Sequence, residues 1–92
     1  MSPPDRLYTA ILKAQPQHCD ANHGLGTLAV SVGKIKEAIP FFQQAVKTNP
    51  IKANYWESYI DALIELENFA GAKAILDKAI SKERIISKEN SL

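Results

Sequence analysis

Apolar residues recur along most of this chain at spacings of three and four, with polar residues on the opposite side of each turn. From Asp20 to about Val32 they fall at Ala21, Leu25, Leu28, Ala29 and Val32. From Lys36 to about Thr48 they fall at Ile39, Phe42, Ala45 and Val46. Both sets follow a period of about 3.6 residues and predict amphipathic helices. The pattern returns from Asn54 to Leu66 and from Ala70 to about Lys82, and the opening segment Asp5 to Gln15 carries it as well. The breaks agree with this division. Gly33 stands where a helix end calls for a left-handed residue, and Glu67-Asn68 marks the corresponding turn later on. Asn49-Pro50 stops the helix before it, because the residue preceding proline is pushed out of the α region. Ser2 and Pro3 suit the cap and first turn of the opening helix. Pro40 lies at the end of the first turn of its helix, where at most one intrahelical bond is lost. A tolerated local bend is expected there.

The helices come in a longer period. At an offset of 34 residues Pro16 falls on Pro50, Leu25 on Tyr59, Ala29 on Leu63, Ala38 on Ala72 and Ala45 on Ala79. The opening segment joins the register, with Tyr8, Phe42 and Leu76 in one column and Ile11, Ala45 and Ala79 in another. This resembles the tetratricopeptide repeat (TPR), a 34-residue helix-turn-helix with the signature W-x2-L-G-x2-Y…A-x3-F…P. The first full unit reads Asn22-x2-Leu25-Gly26-x2-Ala29, then Ala38-x3-Phe42, then Pro50, departing from the signature at Asn22 and Ala29. The second reads Trp56-x2-Tyr59-Ile60-x2-Leu63, then Ala72-x3-Leu76, with Arg84 in place of the proline. The resemblance covers roughly residues 5 to 84. It implies an all-α fold, antiparallel helix-turn-helix repeats stacked as a short right-handed α-solenoid of about five helices.

Small residues at Ala38 and Ala72 allow close helix approach, while Leu25, Phe42, Tyr59 and Leu76 are expected to fill the space between layers. Gly26 omits a side chain where a neighbouring helix presses in, at a propensity cost of about 1 kcal/mol relative to Ala. The expected organisation is a single repeat domain over residues 1–92. It comprises the second helix of a partial repeat at 5–18, repeats at 19–52 and 53–84, and a polar tail at 85–92. Leu7, Tyr8, Ile11 and Leu12 lack a covering helix at one end, and Ile75, Ile80, Ile85 and Ile86 face outward at the other. Repeat arrays usually need about three units with polar caps. The bare ends therefore predict either a fragment of a larger protein, transferases being one class that carries such repeats, or a homo-oligomer formed through the end helices.

Composition narrows the function. The 92 residues carry 11 Lys and Arg against 10 Asp and Glu, a net charge of +1, so no basic stripe marks a nucleic-acid binder. One cysteine excludes an internal disulfide framework, and no apolar run is long enough for a membrane span or a signal peptide. A soluble, cytoplasmic protein is expected. His18, Cys19, Asp20 and His23 crowd into six positions and raise the question of a metal site. A structural zinc site wants four ligands in fixed geometry, and no second cluster supports this one, so helix surface is the better reading and no metal is expected. Glu57 and Asp61 have no enclosing pocket in the predicted layout, and no phosphate loop or nucleophile constellation is present, so no catalytic residue and no cofactor are expected. Trp56 and Tyr59 occupy packing positions of the repeat rather than a base-stacking platform, which would also need nearby positive charge.

The resemblance also implies a binding surface. In this family positions 2, 5, 9, 12 and 13 of each first helix line a concave groove. Here these are Asp20, His23, Thr27, Val30 and Ser31, then Asn54, Glu57, Asp61, Ile64 and Glu65. Glu57, Asp61 and Glu65 form an acidic stripe at four-residue spacing. Family members that clamp a C-terminal carboxylate do so with Lys, Asn and Arg at such positions. Asp20, His23, Gly24 and Thr27, then Asn54, Glu57, Ser58 and Asp61, do not make that clamp. The expected function is a non-catalytic protein-protein interaction module for a peptide or protein segment, neutral or basic in character. The partner-binding residues expected are Asp20, His23, Thr27, Asn54, Glu57, Asp61 and Glu65.

Overall fold

Five helices follow one another along the chain: α1 (Pro3–Ala14), α2 (Cys19–Ser31), α3 (Ile35–Thr48), α4 (Ala53–Glu65) and α5 (Phe69–Asn90). The computed structural model describes the backbone of residues 3–90 and the side chains of residues 6–82, and no strand occurs among the described residues. The expected cap at Ser2 lies outside them, as do the side chains of Ile85 and Ile86.

The turns repeat as the sequence does. After α2, Gly33 takes φ +83°, its amide bonds to the Val30 carbonyl at 3.0 Å and the Lys34 amide to the Ala29 carbonyl at 2.8 Å. After α4, Glu67 takes φ 59°, its amide bonds to Ile64 at 2.8 Å and the Asn68 amide to Leu63 at 2.9 Å. Both are Schellman caps, which satisfy two otherwise orphaned carbonyls and turn the chain back on itself. Helix starts differ in their chemistry. His18 caps α2 by accepting the Ala21 amide on Nδ1 at 3.1 Å, and Asn68 caps α5 by accepting the Gly71 amide at 3.0 Å. The residues before α3 and α4, Lys34 and Lys52, make no side-chain cap.

Pro40 leaves α3 unbroken. The Ala38 amide already bonds to Lys34 at 3.2 Å, so the first turn is closed before the proline, whose exposed ring costs a single bond. α5 continues past Lys82, where the periodic pattern ends, through residues 83–90. That segment contains neither Gly nor Pro, so nothing in its chemistry terminates the helix.

Each helix packs on its sequence neighbours, and α2 also touches α4. The core lies along this line of contacts. Ala38 and Ala45 are fully buried, and Phe42 and Tyr55 are the largest side chains fully enclosed. Val46, Trp56, Tyr59, Ala62, Leu63 and Ala72 complete it. Leu25 is only half-buried, and Leu76, expected in an inter-layer position, is 45% exposed because no described helix packs over that side of α5. The radius of gyration is 14.0 Å, against about 12 Å for a globular domain of this length. Stacking, not collapse, sets the shape.

One departure from the repeat signature resolves into an equivalence. Trp56 donates its indole N–H to the Pro50 carbonyl at 2.8 Å. Asn22, one repeat earlier, donates its amide to the Pro16 carbonyl at 3.2 Å and to His18 at 3.0 Å, while 4% exposed. Two unlike side chains thus satisfy the equivalent proline carbonyl in successive repeats.

Candidate functional site

The N-terminal halves of α2 and α4 lie side by side and bring sequence-distant groups into contact. His23 Nε2 lies 2.7 Å from Ser58 Oγ, and its ring is 4.8 Å from the Tyr55 ring and 5.7 Å from that of Phe42. The Tyr55 hydroxyl donates a hydrogen bond to the Asp20 carboxylate. Lys52, in the loop before α4, sits 3.4 Å from the same carboxylate oxygen and 5.1 Å from the Tyr55 ring centroid. Aromatic and cation–π contacts of this kind add to the packing of the seam.

The hydrogen bond from Tyr55 holds the Asp20 carboxyl below its ordinary range, despite an opposing effect of burial. Burial pushes the Tyr55 hydroxyl well above the usual phenol range, and the Asp20 carboxylate adds to this. Burial lowers His23 as well, so its ring is held neutral. The cluster is an ionised acceptor, a protonated phenol and a neutral imidazole, each already engaged within the chain. It joins two repeats.

Of the residues expected to bind a partner, Asp20 and His23 are therefore drawn into this seam, His23 half-buried and Asp20 exposed but bonded. Thr27 is exposed and donates its hydroxyl to the His23 carbonyl at 2.9 Å. Asn54, Glu57, Asp61 and Glu65 are all exposed on α4. The one ion pair among the described residues joins Lys52 to Asp20, so the acidic stripe is uncompensated there. On the opposite side of the same helix, Trp56, Tyr59 and Leu63 face the core.

The suspected metal cluster disperses. His18 spends Nδ1 on the helix cap, His23 turns to Ser58 and Asp20 to Tyr55. No three His, Cys, Asp or Glu side chains converge among the described residues. Nor is any helix of the described residues long and apolar enough to cross a membrane.

Sequence reasoning missed Tyr55, Ser58 and Lys52. A signal was there: Asp20 and Tyr55, and His23 and Ser58, are both 35 residues apart, one more than the repeat, which is the offset that faces neighbouring first helices across the seam. In comparisons with known proteins, a family model described as tetratricopeptide repeat matches residues 29–84, more than half of the chain. No curated protein matches it.

Proposed function

The chain belongs to the tetratricopeptide repeat family, whose repeats generally mediate protein–protein interactions, and from that premise we propose that it binds a peptide or protein segment against the α2–α4 surface, without catalysis. The observation that carries this reading is the exposed, uncompensated stripe of Glu57, Asp61 and Glu65 on α4, with Asn54 on the same helix and Thr27 on α2 exposed as well. Three carboxylates on one helix face raise the local concentration of cationic groups, so the preferred segment is neutral or basic. Asp20 and His23 contribute by fixing the angle between the two helices rather than by contact. A non-catalytic role agrees with the state of the titratable groups, since Asp20, Tyr55 and His23 are each committed to an internal partner.

The test is fluorescence anisotropy of a labelled lysine-rich peptide titrated with wild type and with Glu57→Lys/Asp61→Lys. Binding should be salt-sensitive and weaken at least ~10-fold in the double variant. Undiminished binding in that variant removes the acidic surface from consideration.

Exposed apolar residues on the end helices favour a second reading, self-association. Leu7 on α1 is 60% exposed, and Leu76 and Ile80 on α5 are 45% and 41% exposed. Light scattering across a concentration series would then give a mass above the 10.2 kDa of one chain, reduced to that value by Leu12→Glu. A constant single-chain mass rejects it.

A further inference from the structure

The side of α4 facing away from the acidic stripe carries a second surface of opposite character. Where α3 and α5 both lean on α4 without touching each other, they leave an open cleft of about 400 Å³. Its floor is apolar and aromatic, formed by Val46, Trp56, Tyr59 and Ile75. Its rim is basic, with Lys47 from α3 and Lys78 and Lys82 from α5. Lys78 and Lys82 are four residues apart on one helix, so both ammonium groups stand on the same side. No acidic residue lines the cleft, and none of these lysines is ion-paired among the described residues. The Tyr59 hydroxyl, which accepts from Gln43 at 3.1 Å, fixes part of the floor.

The geometry points to a docking site for an acidic peptide that carries a bulky apolar side chain, on the side of α4 opposite the acidic stripe. The volume suits one or two side chains, at the small end of ordinary ligand clefts. An inserted leucine would cover Trp56 and Ile75 while flanking carboxylates reach Lys47, Lys78 and Lys82. Charge complementarity selects this occupant: a net charge of only +1 is split so that one face of the molecule is acidic and this one is basic. Two ligands of opposite sign then bind without competing.

Trp56 is the single tryptophan of the chain, so its emission reports directly on the cleft. The probe is a blocked hexapeptide of two leucines among four glutamates, titrated at low salt. A saturable change in Trp56 emission is expected, lost or weakened at least ~10-fold in Lys78→Glu/Lys82→Glu and retained in Lys78→Arg/Lys82→Arg. It should also survive Glu57→Lys/Asp61→Lys, which separates this site from the acidic surface. Circular dichroism checks the fold, and Lys78→Gln/Lys82→Gln replaces the charge reversal if helix is lost. The proposal is overturned if emission shows no saturable change, if the reversal leaves binding intact, or if a lysine–leucine hexapeptide binds equally well. Stronger binding by a short oligothymidylate than by the peptide also overturns it.

Discussion

Glu67 holds a backbone conformation that its repeat counterpart assigns to glycine, and replacing it should stabilise the protein. Its φ of 59° lies in the left-handed region, where the Cβ of an L-residue crowds the following carbonyl. Relief of that crowding in Glu67→Gly is worth roughly 1–2 kcal/mol. The added freedom of glycine in the unfolded chain takes back about 0.5–1 kcal/mol. The net gain is then centred on ~0.8 kcal/mol, within limits of about 0–1.5 kcal/mol, or several degrees in Tm for a domain of this size, about 4–8 °C per kcal/mol. The first repeat supplies an internal control. Gly33 has φ +83°, and a Cβ added there would meet no heavy atom within 4 Å, so Gly33→Ala isolates the conformational cost from any steric one. It should lose about the amount that Glu67→Gly gains. Thermal unfolding followed by far-ultraviolet circular dichroism measures both. A lower Tm for Glu67→Gly, or an unchanged Tm for Gly33→Ala, refutes the argument that left-handed geometry limits these caps.

Three further outcomes follow from the packing and the seam. At Gly26 an added Cβ would lie 2.5 to 3.0 Å from three atoms of the Phe42 ring. Gly26→Ala should therefore destabilise: overpacking of about 1–3 kcal/mol outweighs a helix-propensity gain of about 1 kcal/mol, and denaturant titration beside Phe42→Leu, which opens the space, reads the difference. Asn22→Leu and Trp56→Phe each leave a proline carbonyl without its side-chain donor and should cost at least about 0.5–1.5 kcal/mol in denaturant titrations; a neutral result for both excludes the hydrogen bond as the shared role. Burial lowers the His23 pKa below 6.5, so the unfolded chain takes up that proton first as pH falls. Stability should be full above that value and decline below it until the folded form also protonates, with a further loss below 3.8 as Asp20 titrates. His23→Gln should flatten the upper part of a Tm-against-pH curve, and an unaltered curve in that variant assigns the slope to other groups.

The helices and their register were legible because the information is periodic. Apolar spacing located each helix, and the offset of 34 placed Phe42, Tyr59, Trp56 and the alanines in the core where they lie. Leu76 escaped because its burial depends on what stands beyond α5, which its own pattern does not contain. The length of α5 escaped because hydrophobic periodicity fades before the chain meets a helix-breaking residue. The seam escaped for a different reason. The Asp20, Tyr55 and Lys52 side chains are polar or amphipathic and look like surface when each repeat is read alone; only the contact between repeats buries Tyr55 and ties the still-exposed Asp20 and Lys52 to it. Of the residues that the family resemblance assigned to a partner surface, Asn54, Glu57, Asp61 and Glu65 are exposed on α4.

Among the described residues α1 packs against α2 alone, and the Tyr8 ring fills the space that Gly24 leaves open. Such a helix can detach without disturbing any other pair. Opening of the molecule should then be graded, with α1 amides exchanging with solvent first and the α2–α4 seam last. A pulling force applied at the N-terminus would peel this chain away helix by helix, and the bond between Asp20 and Tyr55 would mark the first point at which two repeats must yield together.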